Sequence, residues 1–272
     1  MKIGFIGAGN MATAIASGIV DRGVVQGSDV VVHDVHTAGA QALAERLGAT
    51  VAPSNEALVD AVDVVVLAIK PQVIPAALPP LAAALAESGA LLVSIAAGTS
   101  LARLEQLLGD GGADLPVVRV MPNVNAMVGA GMAAVAGNKA ASTEQVATVV
   151  DLFRAVGDAI ELPEPSFSTF TAIAGSAPAY AYLFIDALAR GALKAGMPKD
   201  MATRIAAQTV LGSARMILES DDAPWVLIDK VCSPGGTTIA GLMALEDGGF
   251  VSTVVDGVQA TIDRDLELGA GS

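Results

Sequence analysis

The sequence holds one cysteine and two histidines in 272 residues. A single cysteine excludes an internal disulfide and any multi-cysteine metal or iron–sulfur site. The two imidazoles, His33 and His36, lie three residues apart, so a zinc cage elsewhere in the chain and a dispersed Ser-His-Asp triad are excluded, and no metal site is expected. Aromatics are scarce: six Phe, two Tyr and one Trp. Basic side chains are outnumbered, 15 Lys and Arg against 28 Asp and Glu, for a net charge of −13. A chain short of basic charge and stacking rings is not built for nucleic acid. Long apolar runs are missing too. Val62–Ile69 is broken by Asp63 and stopped by Lys70-Pro71, and Ala126–Ala136 is broken by glycines; neither has the ~20 residues that a spanning helix needs. The mean hydropathy of +0.60 therefore reflects alanine and valine. The chain is expected to be soluble and cytoplasmic, with no membrane partner.

What the sequence does contain is a folding core. Hydrophobic residues make up 53% and charged residues 16%, and the length suits two modest domains. Strands are expected at Lys2–Ile6, Val30–His33, Val62–Ile69, Ala90–Ala96 and Val117–Val120. Helices are expected at Met11–Asp21, Ala38–Leu47, Ala76–Glu87 and Thr143–Ala155. Strands alternating with helices predict a parallel, doubly wound sheet. The pattern changes near Leu162-Pro163-Glu164-Pro165. Beyond it the periodicity is helical only: Phe167–Ala195 with an interruption at Pro178, then Lys199–Glu219, Thr237–Glu246 and Val251–Leu266.

The first strand leads into Gly7-Ala8-Gly9-Asn10-Met11-Ala12 and then a helix. Gly7 permits the tight turn, Gly9 lets a pyrophosphate approach the backbone, and Ala12 lets helix and strand pack. The helix N-terminus offers free N–H groups and a positive dipole to phosphates. The same pattern accounts for the signal-peptide look of Met1–Val20. Asp34 follows the second strand, where a carboxylate accepts hydrogen bonds from an adenine ribose and repels a 2′-phosphate. No Arg or Lys occurs from Val35 to Leu43, and His36 meets a phosphate only when protonated. This chemistry leans to NADH and leaves NADPH open.

Without a histidine base, alcohol dehydrogenation is poorly served. Reduction of a protonated C=N bond asks for less: the substrate carries its own proton, and the protein must orient an anion and hydrogen-bond the nitrogen. Val231-Cys232-Ser233-Pro234-Gly235-Gly236-Thr237-Thr238-Ile239 suits that task. Two glycines and two threonines before a helical run expose consecutive N–H groups, a nest for a carboxylate.

Taken together, the chain resembles the Δ1-pyrroline-5-carboxylate reductase family. The resemblance rests on Lys230–Ile239 with Ala244-Leu245-Glu246-Asp247-Gly248-Gly249-Phe250, and on Phe5–Met11, Ala68-Ile69-Lys70-Pro71-Gln72, Ser94–Gly98, Met121-Pro122-Asn123 and Gly175-Ser176-Ala177-Pro178-Ala179-Tyr180. It implies an α/β fold: an N-terminal Rossmann-type sheet over 1–163 and an all-α C-terminal substrate and dimerisation domain over 164–272. It implies reduction of the cyclic imine to L-proline with NADPH or NADH. Around the cofactor it places Ile6, Gly7, Ala8, Gly9, Asn10, Met11, Asn55, Ala68, Ile69, Lys70, Pro71, Ala96, Ala97 and Gly98, with Glu164 and Lys230 reaching it from the helical half, and the reading of the second strand's end adds Asp34 and His36. It assigns the substrate to Asp221, Val231, Ser233, Gly235, Gly236, Thr237 and Thr238, the Thr238 hydroxyl bonding the imine nitrogen. It implies a homodimer, and larger rings such as a decamer occur in the family.

Four stretches depart from the family pattern: Val124-Asn125 for Thr-Pro, Ala177 for glycine, Ala223-Pro224-Trp225 for His-Pro-Gly, and Asp221 for glutamate. Asp34 also departs, since the family habit is an uncharged residue and NADPH. Cys232 reads as packing and Lys194 as a solvated charge at a helix end. The rival reading is another imine or 3-hydroxyacid oxidoreductase on the same fold, dependent on Lys194 and indifferent to Thr238.

Overall fold

The computed structural model describes residues 1–270. Eight strands form one sheet: β1 (Ile3–Ile6), β2 (Val30–His33), β3 (Thr50–Val51), β4 (Val64–Leu67), β5 (Leu91–Ser94), β6 (Val117–Pro122), β7 (Gly131–Gly137) and β8 (Gly157–Glu161). Their spatial order is β3-β2-β1-β4-β5-β6-β7-β8. The chain thus reverses its direction of travel across the sheet between β1 and β4, which opens a crevice at their carboxyl ends. β1 pairs in parallel with both β2 and β4, with Ile3 opposite Val30 and Val64.

The helices of this half are α1 (Asn10–Asp21), α2 (Thr37–Leu47), α3 (Asn55–Val59), α4 (Ile74–Ala77), α5 (Ala82–Ser88), α6 (Leu101–Leu108), α7 (Thr143–Arg154) and α8 (Phe167–Phe170). They cover both faces, so the central strands are apolar throughout. Ile3, Phe5, Val64 and Val66 pack with Ile15 and Ile19 of α1 on one face. Val65 and Leu67 pack with Leu58 of α3 and Leu85 of α5 on the other.

Three strands, β3, β7 and β8, were not expected from the sequence, and β7 adds one antiparallel pairing to the expected parallel sheet. It pairs antiparallel with β6, Val120 opposite Val135, and β8 then pairs in parallel with β7. The Ala126–Ala136 stretch that looked like a glycine-broken run supplies this strand. Helix α6 was also unforeseen, although Ser100 caps it by accepting from Arg103 N at 3.2 Å.

The remaining helices are α9 (Ala177–Lys194), α10 (Lys199–Glu219), α11 (Pro224–Val231), α12 (Thr237–Asp247) and α13 (Phe250–Ala270). By backbone proximity the chain forms two compact units, Met1–Gly175 with the residues from Ile262 onward, and Ser176–Thr261. Within the second unit, Tyr180 is hydrogen-bonded to Thr261 Oγ1, and the Phe184 and Phe250 rings lie 5.8 Å apart. Asp186 pairs with Lys199 and, at 2.5 Å, with Arg190, and these bonds hold its carboxyl below the usual carboxylate range. Few side chains here are buried: Ala189 on α9, Ala202 and Ala206 on α10, and none of the described residues on α11, α12 or α13.

A π-helical turn at Thr171–Ser176 joins α8 to α9 and accounts for the interruption at Pro178. Proline has no N–H to give to the carbonyl four residues back. That carbonyl, on Ala174, instead accepts from Asn123 Nδ2 at 3.0 Å, and Asn123 Oδ1 accepts from Met132 N at 3.1 Å. The helical run Glu164–Lys194 is by length and composition apolar enough to cross a bilayer, with 17% of its most apolar window buried. Reading apolar runs residue by residue missed this, because Pro178 and Asp186 interrupt them.

Candidate active site

The candidate cofactor residues of the first unit follow the carboxyl ends of parallel strands, where ligands of open α/β sheets bind. Gly7 leaves β1 with φ +106°, and a Cβ there would stand 2.5 Å from Ala68 O. Glycine is therefore required where the loop crosses the end of β4. Gly9 caps α1 without a side-chain bond, which leaves the first-turn N–H groups at Asn10, Met11 and Ala12 for a ligand.

Asp34 is engaged within the protein. Its Oδ2 accepts from Ala8 N at 2.7 Å, and its Oδ1 accepts from His36 N at 2.7 Å. The carboxylate thus ties the end of β2 to the glycine loop and consumes the Ala8 N–H. His36 is exposed at the cap of α2. Asn55 opens α3, behind Ser54, which accepts from Ala57 N. Ala68, Ile69, Lys70 and Pro71 follow β4, with Lys70 exposed; Ala96, Ala97 and Gly98 follow β5. A cavity of about 430 Å³ beside these two loops is lined by Pro71, Gln72, Ala97, Gly98, Thr99 and Arg103.

Glu164 lies in the turn after β8. Its Oε1 accepts from Arg119 Nη1 and from Leu101 N, each at 2.8 Å. Arg119 lies over the Phe167 ring, its guanidinium carbon 4.5 Å from the ring centroid. Glu164 therefore braces the start of α6, just past the Ala96–Gly98 loop. Sequence reasoning found Glu164 but missed Arg119, whose place opposite it follows only from the pairing of β6 beside β5.

Two features fit a dinucleotide. A Cβ at Gly9 would meet no atom within 4 Å, so the loop faces open space that only a side chain or a ligand would fill. Asn55 Oδ1 is buried without a hydrogen-bond partner among the described residues, a polar atom awaiting a donor.

The candidate substrate residues lie together in the second unit, around the α11–α12 connection. Gly236 N donates to Ser233 O at 3.0 Å, and Gly235 has φ +67°. A Cβ at Gly236 would stand 2.3 Å from Ser233 Oγ. As in α1, the cap of α12 is a glycine that makes no side-chain bond, so the N–H groups of its first turn, at Thr237, Thr238 and Ile239, have no intrahelical acceptor. Val231 ends α11 and is exposed. Asp221 lies in the bend before α11, but it is the neighbouring Asp222 that pairs with Lys230, which holds the Asp222 carboxyl below its usual range.

Comparison with known proteins matches the chain in two parts. A family described as pyrroline-5-carboxylate reductase dimerisation matches residues 164–268, and one described as NADP oxidoreductase, coenzyme F420-dependent, matches residues 2–98. The chain is 40% identical to a Synechocystis pyrroline-5-carboxylate reductase over 269 residues, covering 99% of this chain and 98% of that one. It resembles the structure of a Coxiella burnetii pyrroline-5-carboxylate reductase with a TM-score of 0.93 and 33% identity, over 98% of each chain. A Plasmodium falciparum pyrroline carboxylate reductase with NADP bound matches with a TM-score of 0.84 and 31% identity, over 99% of this chain and 98% of that one.

Proposed function

The chain belongs to the pyrroline-5-carboxylate reductase family, and on that premise we propose that it reduces L-Δ1-pyrroline-5-carboxylate to L-proline with NAD(P)H, the last step of proline biosynthesis. The observation that carries the reading is the glycine-capped start of α12, whose first-turn N–H groups are left for an anion. In this proposal the N–H groups of Gly235, Thr237 and Thr238 grip the substrate carboxylate, with Gly236 shaping the turn through its bond to Ser233 O, and Val231, Ser233 and Asp221 form the rim. The local dipole does what the acidic chain as a whole cannot. The Thr238 hydroxyl donates a hydrogen bond to the ring nitrogen.

When bound, the nicotinamide supplies the hydride. The chain's part is to hold the dinucleotide at the first turn of α1, with Asn55, Ala68–Pro71 and Ala96–Gly98 around it and Lys230 as a further contact. Glu164 serves as a brace for the Ala96–Gly98 loop as well as a contact. We assign residues 1–163 to the dinucleotide and 164–272 to substrate and dimerisation, and the cytoplasm as the enzyme's place. A homodimer is the unit, and a ring of dimers such as a decamer is the larger assembly proposed.

Asp34 favours NADH. Its charge opposes a 2′-phosphate, and its bonds to Ala8 and His36 fix it in place. The test is steady-state oxidation of NADH and NADPH with pyrroline-5-carboxylate, on the native enzyme and Asp34→Ser. Native turnover should be faster with NADH, and Asp34→Ser should move the kcat/KM ratio toward NADPH by about tenfold, the weight of one charge-assisted contact. Absence of imine-dependent turnover with either nucleotide would remove the function. An unmoved ratio would remove the cofactor assignment alone.

A further inference from the structure

A second cavity, of about 340 Å³, runs along the flank of α1. Its size falls within the range of small-molecule sites. Its wall brings together Arg22, at the C-cap of α1, and Arg46, in the last turn of α2. Neither guanidinium has an ion-pair partner among the described residues. Asp21 is the one acidic side chain on the wall, so an excess positive charge remains in a chain whose net charge is −13.

A second observation is Ser17. It lines the same cavity, is only 6% exposed, and its hydroxyl, closed to solvent in this rotamer, has no hydrogen-bond partner among the described residues. Nearly all buried polar side-chain atoms are satisfied, and a turn about χ1 toward a guest in the cavity would satisfy this one. Ala126, Ala155 and Val156 supply an apolar floor. Two unpaired guanidiniums select a planar or tetrahedral oxyanion by forked hydrogen bonds.

We propose that this cavity binds a small oxyanion, a carboxylate or phosphate on a short apolar body, and that its occupancy tunes cofactor affinity through α1. The coupling rests on the reading above that the N-terminus of α1 receives the dinucleotide; Asn10 belongs to both places. A ligand against the flank of α1 and the end of α2 biases the helix whose first turn meets the pyrophosphate. The binding claim does not depend on that reading.

The test is calorimetric titration of the full-length protein with inorganic phosphate and, separately, with succinate, each in the presence of saturating NADH so that the glycine loop is filled. At least one anion should bind, and the responding arm tells phosphate from carboxylate. Arg22→Ala/Arg46→Ala should weaken that binding at least tenfold, the scale of a lost charge-assisted pair. Ser17→Ala should weaken it several-fold. Equal affinity in the double variant, or no binding by either anion, overturns the site. For the coupling, the bound anion should change the KM for NADH at least twofold in the native enzyme and not in the double variant, whose turnover without anion stays native. Binding with no change in KM overturns the coupling. Failure of NADH itself to bind speaks against the proposed function instead, and the titration without nucleotide, native against double variant, still decides the site.

Discussion

The sheet unit and the helical unit solve the same problem in opposite ways. Around β1, β4 and β5 nearly every apolar side chain finds cover within one chain, and Phe5, Ile15, Leu58 and Leu67 are essentially inaccessible. On α9 and α10 the buried residues are alanines, while Leu183 is 70% exposed and Leu218 85%. Helices with apolar faces left bare are incomplete alone. The region matched as a dimerisation domain is the one that needs a second chain to finish its core. The sheet unit, by contrast, has its core already.

The strongest way to break this contrast is Gly7→Val. The positive φ and the 2.5 Å approach to Ala68 O should cost about 3 kcal/mol or more. Cofactor titration by fluorescence should fail, while sedimentation still finds the dimer. Loss of both together would show that the two units do not stand apart energetically. Thr238→Ala should lower kcat by about 10–100-fold, a hydrogen bond to a charged group being worth ~1.5–3 kcal/mol, with nucleotide affinity unchanged. A native kcat would move the proton-side chemistry elsewhere.

Comparable in size to Gly7→Val is Leu183→Asp with Leu218→Asp. Burial of each leucine contributes about 1.5–3 kcal/mol, so the dimer should dissociate on dilution while the sheet unit keeps its nucleotide affinity. Smallest is Lys230→Ala. Asp222 is depressed by Lys230, so the pair's contribution is present above the carboxyl's unfolded pKa and is lost as pH falls through the lower folded one. The variant should melt slightly earlier at neutral pH and like the native protein in strong acid. A carbon-detected titration should show the Asp222 carboxyl returning upward, and a raised KM for nucleotide would mark Lys230 as a cofactor contact.

Much of this was legible in the residues. The strand–glycine–helix opening, the buried strands at Val64–Leu67 and Leu91–Ser94, and the Gly235-Gly236-Thr237-Thr238 helix start are local patterns, and local patterns survive folding. Strands β7 and β8 were not legible: Gly131–Gly137 is alanine-rich and Gly157–Glu161 alternates weakly, so neighbours rather than propensity define them. The bond from Asp34 to Ala8 spans 26 positions, and Glu164 reaches Arg119 across 45. Such pairings exist only once the sheet order is set. Asn123 illustrates the limit: its motif was visible, but its service to the carbonyl stranded by Pro178 was not.

The bare flanks of α9 and α10 also bear on how the enzyme comes into being. Two finished sheets can wait indefinitely for each other, but paired helices form at a rate that grows with the square of the number of new chains. Output at scarce expression should therefore lag behind synthesis, then overtake it steeply as chains accumulate.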